Sequence, residues 1–230
     1  MTARRAGVRW RRVIEFSAAA VAIAALTAST VACAPKSPDY QSIWTKSSTT
    51  SAATTTASTP LVPLSQYLES VGVAGEPVAP NTLTDLTASI PTPPGWAPYH
   101  DPKATPNTQA ISKGGEYPMA MLMVFKLRGD VNPAEAVKHA NADAQMAQNF
   151  HQLDASTADF DGFPSAMIEG SYNRGAARLH GWNRVVFPTG SPPANQRYLV
   201  QLTITSLANA AVEQSSDIEA IIRGFVVSAK

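Results

Sequence analysis

The sequence predicts an α+β domain: an antiparallel β-sheet packed with helices in an α/β/α arrangement. Three observations predict it. Phe163 to Tyr172, Arg178 to Phe187 and Arg197 to Ser206 are strand-like segments joined by connections too short for a crossover, so they pair antiparallel. Met119 to Leu127 is apolar on both faces, with Met119, Met121, Met123 and Phe125 on one and Ala120, Leu122 and Val124 on the other. Such a strand is covered on both sides and belongs at the centre of a sheet. Helix-start signals at Asn132 and Ser216 place helices before and after the three-strand run.

Residues 1–32 read as a secretion signal: Arg4, Arg5, Arg9, Arg11 and Arg12 precede an uncharged stretch from Phe16 to Val31. That stretch, diluted by Ala, Thr and Ser, falls short of the about 20 strongly apolar residues of a spanning helix. It ends at Thr30-Val31-Ala32-Cys33, where Cys33 is the single cysteine and the expected site of lipid attachment. Thr30 stands where a lipobox usually has Leu, and the Sec or twin-arginine export route stays open. Removal of residues 1–32 leaves 13 basic against 16 acidic residues, a net charge of about −3. A mildly acidic body without a basic run excludes an electrostatic footprint for nucleic acid. With Cys33 acylated, no disulfide is available and the fold rests on its own core.

Residues 33–60 are dominated by Ser, Thr, Ala and Pro, a composition that cannot bury enough apolar surface to order itself, and so predict a stalk. Residues 61–230 form one domain of ordinary size. Leu64 to Val71 reads as a helix stopped by Gly72, and Leu83 to Ile90 as a loosely alternating strand ended by Pro91-Thr92-Pro93-Pro94-Gly95-Trp96. Gln109 to Lys113 pairs with Met119 to Leu127 through a tight turn at Gly114-Gly115. Asn132-Pro133-Ala134-Glu135 caps a helix expected to run to about Phe150, with Val137, Ala140, Ala144 and Ala147 as its sheet-facing stripe. Asn173-Arg174-Gly175 turns the next hairpin, and Tyr198, Val200, Leu202 and Ile204 share one strand face. Ser216-Asp217-Ile218-Glu219 opens a last helix closed by Gly224.

The stalk, Leu64-Ser65-Gln66-Tyr67-Leu68, the Pro91 to Trp96 run, Leu153 to Asp159 and Pro188-Thr189-Gly190-Ser191-Pro192-Pro193 together resemble the LpqN/LpqT family of mycobacterial lipoproteins, on its LpqN side, along the whole chain. The resemblance implies a cell-envelope location and a fold like that of the photosystem extrinsic subunit PsbP. It further implies accessory work in envelope lipid handling and surface interactions, and it transfers no catalytic motif.

The sequence holds no Gly-x-Ser-x-Gly elbow, phosphate loop or dinucleotide fingerprint. Glu135, His139 and Asp143 would share one helix face at i, i+4, i+8, a spacing open to a metal but read here as a solvated charge ladder. Tyr99-His100-Asp101 follows Trp96 on a loop and offers acid/base groups without a nucleophile. Arg178, His180, Trp182 and Arg184 alternate along one strand and would suit sugars or anions, or would cover a helix with their stems. Met119, Met121 and Met123 suit a lipid pocket or a packed core.

These features predict a non-catalytic lipoprotein, anchored through Cys33 on the outer side of the cell membrane, without cofactor or metal. Its expected partners are envelope lipids or glycolipids and lipid-export proteins, with no nucleic acid. The ligand residues expected are Arg178, His180, Trp182, Arg184, Trp96 and Tyr99. A surface module engaging host proteins is the alternative, and an extracytoplasmic hydrolase a third possibility.

Overall fold

The computed structural model describes residues 60–100 and 104–230; the expected signal, Cys33, the stalk to residue 59 and Asp101 lie outside them. The chain begins with α1 (Leu64–Ser70), which buries Leu64 and Leu68 one turn apart. It continues through β1 (Ala74–Val78), a short 3₁₀ turn at Pro80–Thr82, β2 (Leu86–Ser89) and β3 (Ala97–Pro98). Next come β4 (Gln109–Ser112) and β5 (Met119–Arg128), joined by a wider loop than a tight Gly-Gly hairpin, closed by the Lys113 amide on the Pro118 carbonyl at 3.2 Å.

The expected long helix after Asn132 is broken into α2 (Pro133–Val137) and α3 (Ala142–Gln145). Asn132 caps as its sequence predicts, its Oδ1 accepting from the amides of Ala134 at 3.1 Å and Glu135 at 3.4 Å. The Glu135 carboxylate pairs with Lys138 at 2.8 Å. Beyond Val137 the amides of Lys138, His139 and Ala140 bond three residues back, a tightened turn. Asn141 then donates its side-chain amide to the Met167 carbonyl at 3.1 Å, fixing the break against the sheet. Local side-chain hydrogen bonding of this kind competes with helix continuation.

The remaining elements are β6 (His151–Ser156), β7 (Ser165–Arg174), β8 (Ala177–Val186), β9 (Tyr198–Leu207), α4 (Ser215–Arg223) and β10 (Val226–Ala229). Eight strands form one sheet in the order β3-β4-β5-β9-β8-β7-β6, with β1 also paired to β5, and every pairing is antiparallel. β10 and β2 make a separate two-stranded sheet.

Alternation divides the core between the two faces of the large sheet. On one face Leu122, Val124, Trp182, Val200, Leu202 and Ile204 pack with Leu86, Ala88 and Val227 of the small sheet and with Ile218 and Ile221 of α4. On the other, Leu127, Ala166, Val185 and Leu199 pack with Leu64 and Leu68 of α1 and with Ala136, Val137 and Ala140. The α+β, antiparallel, three-layer expectation is the observed architecture. Among the described residues no helix is long and apolar enough to cross a membrane.

Candidate lipid-binding groove

The face under α1 and α3 is incompletely covered. Two hollows of about 300 Å³ each open there, and both are lined by Leu64 of α1, Asp143 of α3 and Gln201 of β9, so they adjoin as one groove. Leu68, Val73, Phe125, Leu127 and Leu199 line one hollow. Ala140, Ala144, Ala147, Phe150, Ile168 and Val185 give the other its apolar walls.

Two strand glycines let aromatic rings lie on the sheet. Gly170 of β7 and Gly181 of β8 face each other in register. A Cβ on Gly170 would fall 2.5 Å from the Phe150 ring, and one on Gly181 would fall 3.0 Å from Tyr172 Cε1. Bare strand positions of this kind mark close approach, and here they seat the aromatic residues that line one hollow. Arg174 lines the same hollow with its guanidinium 6.0 Å from the Tyr172 ring centroid, and its Nη1 donates to the Tyr117 hydroxyl at 3.1 Å. Partial burial pulls the Arg174 guanidinium down, but Tyr172, Tyr117 and Glu116 outweigh it and hold the group above its ordinary range. Burial in turn pushes the Tyr117 phenol up.

A polar band crosses the floor. Gln201 Nε2 donates to Asn183 Oδ1 at 2.9 Å, and the Thr203 hydroxyl donates to the same oxygen at 2.8 Å. The titratable groups on the lining are Asp143, Tyr172 and Arg174. An apolar trough with a self-satisfied polar band and a cation at one end can hold an amphipathic molecule.

Of the ligand residues expected from sequence, Trp182 is among those lining one hollow; the other five lie elsewhere. Arg178, His180, Trp182 and Arg184 do share a strand face, but it is the face turned to α4, not an open one. His180 is 8 % exposed and its Nε2 lies 2.9 Å from Glu169 Oε1, while Trp182 is 5 % exposed within the core. Arg178 is exposed and bound to the Asn149 carbonyl, Asn173 Oδ1 and Ser171 Oγ at 2.7, 3.0 and 2.6 Å. Trp96 is buried, with its indole N–H donating to Asp217 Oδ2 at 3.1 Å. Tyr99 is half-buried beside β4, its amide bonded to the Ala110 carbonyl, and His100 is exposed. Buried His180, held by Glu169, interrupts the row, so the four residues do not form one continuous exposed face.

The break between α2 and α3 also disperses Glu135, His139 and Asp143. Glu135 holds Lys138, His139 stacks on Tyr67 at 4.3 Å with its Nδ1 3.2 Å from the Val62 carbonyl, and Asp143 lines the groove. Among the described residues no group of three ligating side chains gathers to hold a metal. Met119 is buried, and Met121 and Met123 are half-buried without lining either hollow. The groove's own residues, Phe150, Tyr172, Asn183 and Gln201, went unread in the sequence; glycine inside two predicted strands was the available signal.

The family described as probable lipoprotein LpqN matches residues 60–228. A Mycobacterium tuberculosis protein named as lipoprotein LpqT is 68 % identical over 213 residues, covering 93 % of this chain and 94 % of its own. The Mycobacterium leprae protein of the same name is 62 % identical over 211 residues, covering 92 % and 95 %. A crystal structure of LpqN, described as involved in cell envelope biogenesis of Mycobacterium tuberculosis, superposes with a TM-score of 0.62 at 18 % identity, covering 74 % of this chain and 99 % of that one. High identity thus runs with LpqT, and the likeness to LpqN is one of fold.

Proposed function

Because the chain belongs to the LpqN family of lipoproteins, we propose that it is a non-catalytic, envelope-associated lipoprotein, tethered through Cys33 on the extracytoplasmic side, that takes the apolar part of an envelope lipid or glycolipid into its groove. The observation that carries this reading is the continuity of the two hollows through Leu64, Asp143 and Gln201. Each methylene buried there contributes about 0.8 kcal/mol, so a short length of acyl chain suffices for useful affinity. Asp143 and Arg174, exposed on the lining, would hold a polar headgroup at the surface, which suits presentation to or from an export protein in the same membrane.

Native mass spectrometry of the full-length protein, released from detergent after incubation with an envelope lipid extract, tests the reading. The wild-type chain retains lipid. Ala144→Trp, which places an indole in the trough, loses it. Equal retention by both, or none by the wild type, overturns the proposal.

A further inference from the structure

We infer that Arg184 forms an oxyanion-binding site, for a carboxylate or phosphate group, on the sheet face opposite the groove. Arg184 is half-buried, its guanidinium 4.8 Å from the Phe160 ring centroid and 5.6 Å from that of Trp182. Nη1 donates to Ser165 Oγ at 3.0 Å, and Ser165, fully buried, spends its own proton on the Ala158 carbonyl at 2.6 Å. The guanidinium plane is therefore fixed before any ligand arrives.

What it lacks is a counter-charge. Among the described residues no carboxylate stands within ion-pair distance of Arg184. Asp161, on the adjoining turn, acts on it only through space, and the larger effect of burial pulls its pKa down. Charges withdrawn from water are normally paired, because desolvation is otherwise uncompensated.

Two of the three guanidinium nitrogens lack a partner. Nε is buried with no hydrogen-bond partner, while Nη2, also without one, is not among the buried unsatisfied atoms and so reaches the surface. Nε and Nη2 form the side edge of the guanidinium, whose parallel N–H groups accept two oxygens of one carboxylate or phosphate. Phe160 packs on the guanidinium from a turn closed by reciprocal bonds between Phe160 and Phe163 at 2.9 and 3.0 Å. An anion therefore meets Nη2 first and gains the covered Nε only by displacing what packs on it.

The test uses the full-length chain, labelled with ¹⁵N-arginine, in non-ionic detergent. The Arg184 Nε–H resonance is assigned as the one lost in Arg184→Lys. Sodium phosphate and sodium acetate are titrated against sodium chloride at equal ionic strength, and phosphatidylglycerol is added to the micelles in a separate arm. A saturable shift absent with chloride is expected; saturation by free phosphate or acetate assigns a small anion, and saturation only by phosphatidylglycerol assigns a lipid headgroup. Ser165→Ala, which keeps the charge but frees its plane, weakens binding about tenfold. No saturable shift in any arm, a chloride response equal to the others, or anion-induced thermal stabilisation that survives in Arg184→Lys overturns the assignment.

Discussion

Replacing Gly170 by alanine puts the seating of Phe150 to a quantitative test. The added methyl would sit 2.5 Å from Phe150 Cε2 and Cζ and 2.7 Å from the His151 carbonyl oxygen. Carbon contacts are comfortable only from about 3.5 Å. A ring can swing aside; the carbonyl cannot, because His151 begins β6, which is paired to β7 through His151–Ser171 and Gln152–Gly170. Alanine also restricts the unfolded chain, stabilising by about 0.4–1 kcal/mol, whereas overpacking costs about 1–3 kcal/mol. The overpacking term wins, leaving a net loss of about 1–2 kcal/mol, or about 2–8 °C in Tm for a domain of this size. Calorimetry reads the loss, and hydrogen exchange localises it to β6 amides. Gly181→Ala is the internal comparison. Its methyl meets only the Tyr172 ring edge at 3.0 Å, which can tilt, so the cost is smaller. A Gly170→Ala protein that melts at or above wild type, or a larger loss at Gly181, would refute the reasoning.

Tyr198 donates its hydroxyl to Asp85 Oδ1 at 2.7 Å, and burial first, then Asp85, pushes its pKa up to about 12. A raised phenol stabilises the fold below its unfolded value of about 10 and loses that contribution as pH rises through about 12. Tyr198→Phe should remove this alkaline limb from a stability–pH profile, and an unaltered limb would contradict the assignment. Lys113 and then Trp96 hold the Asp217 carboxyl below its ordinary range. Its contribution is present above the ordinary carboxylate pKa and lost as pH falls through the depressed value, so Asp217→Asn should flatten the acid limb of chemical denaturation midpoints. Leu202, wholly buried between β9 and α4, should cost about 2–5 kcal/mol on replacement by alanine in urea unfolding.

The long elements were legible because their signals are strong and local. Met119 to Leu127 is apolar on both faces and stands inside the sheet between β4 and β9, and Phe163 to Ser206 pairs as an antiparallel meander. β1, β6 and β10 were not read. Gly75 and Pro77 in β1, and Asp154 beside the register shift in β6, are poor strand formers, held there by pairing to β5 and β7. The broken helix misled for a related reason: nothing local in its alanine-rich run announces that Asn141 will bond to Met167 across the fold. The candidate site suffered most. Arg178, His180, Trp182 and Arg184 alternate in sequence as an exposed polar face would, but the pairing of His180 with Glu169 and the packing of Trp182 put the middle of that row in the interior. Conversely, Gln201, Thr203 and Thr205, the polar positions that alternate with the apolar face of β9, line the groove.

The groove follows from lengths more than from any one side chain. β7, β8 and β9 have 10 residues each, so they run about 33 Å. α2 and α3 have 5 and 4 residues, giving only about 8 and 6 Å of helix. On the opposite face α4 is joined by the β2–β10 sheet, and together they bury Leu86, Val227, Ile218 and Ile221 against the strands. Among the described residues no second sheet assists α1, α2 and α3, so part of the floor stays uncovered while its margins remain apolar. Covering that floor with a longer helix would enlarge the core and add stability by burial. The break at Asn141 prevents it, and the alanines at 140, 144 and 147 keep the wall thin where it does stand. The mismatch in length between these strands and the short helices over them is enough to leave the face open.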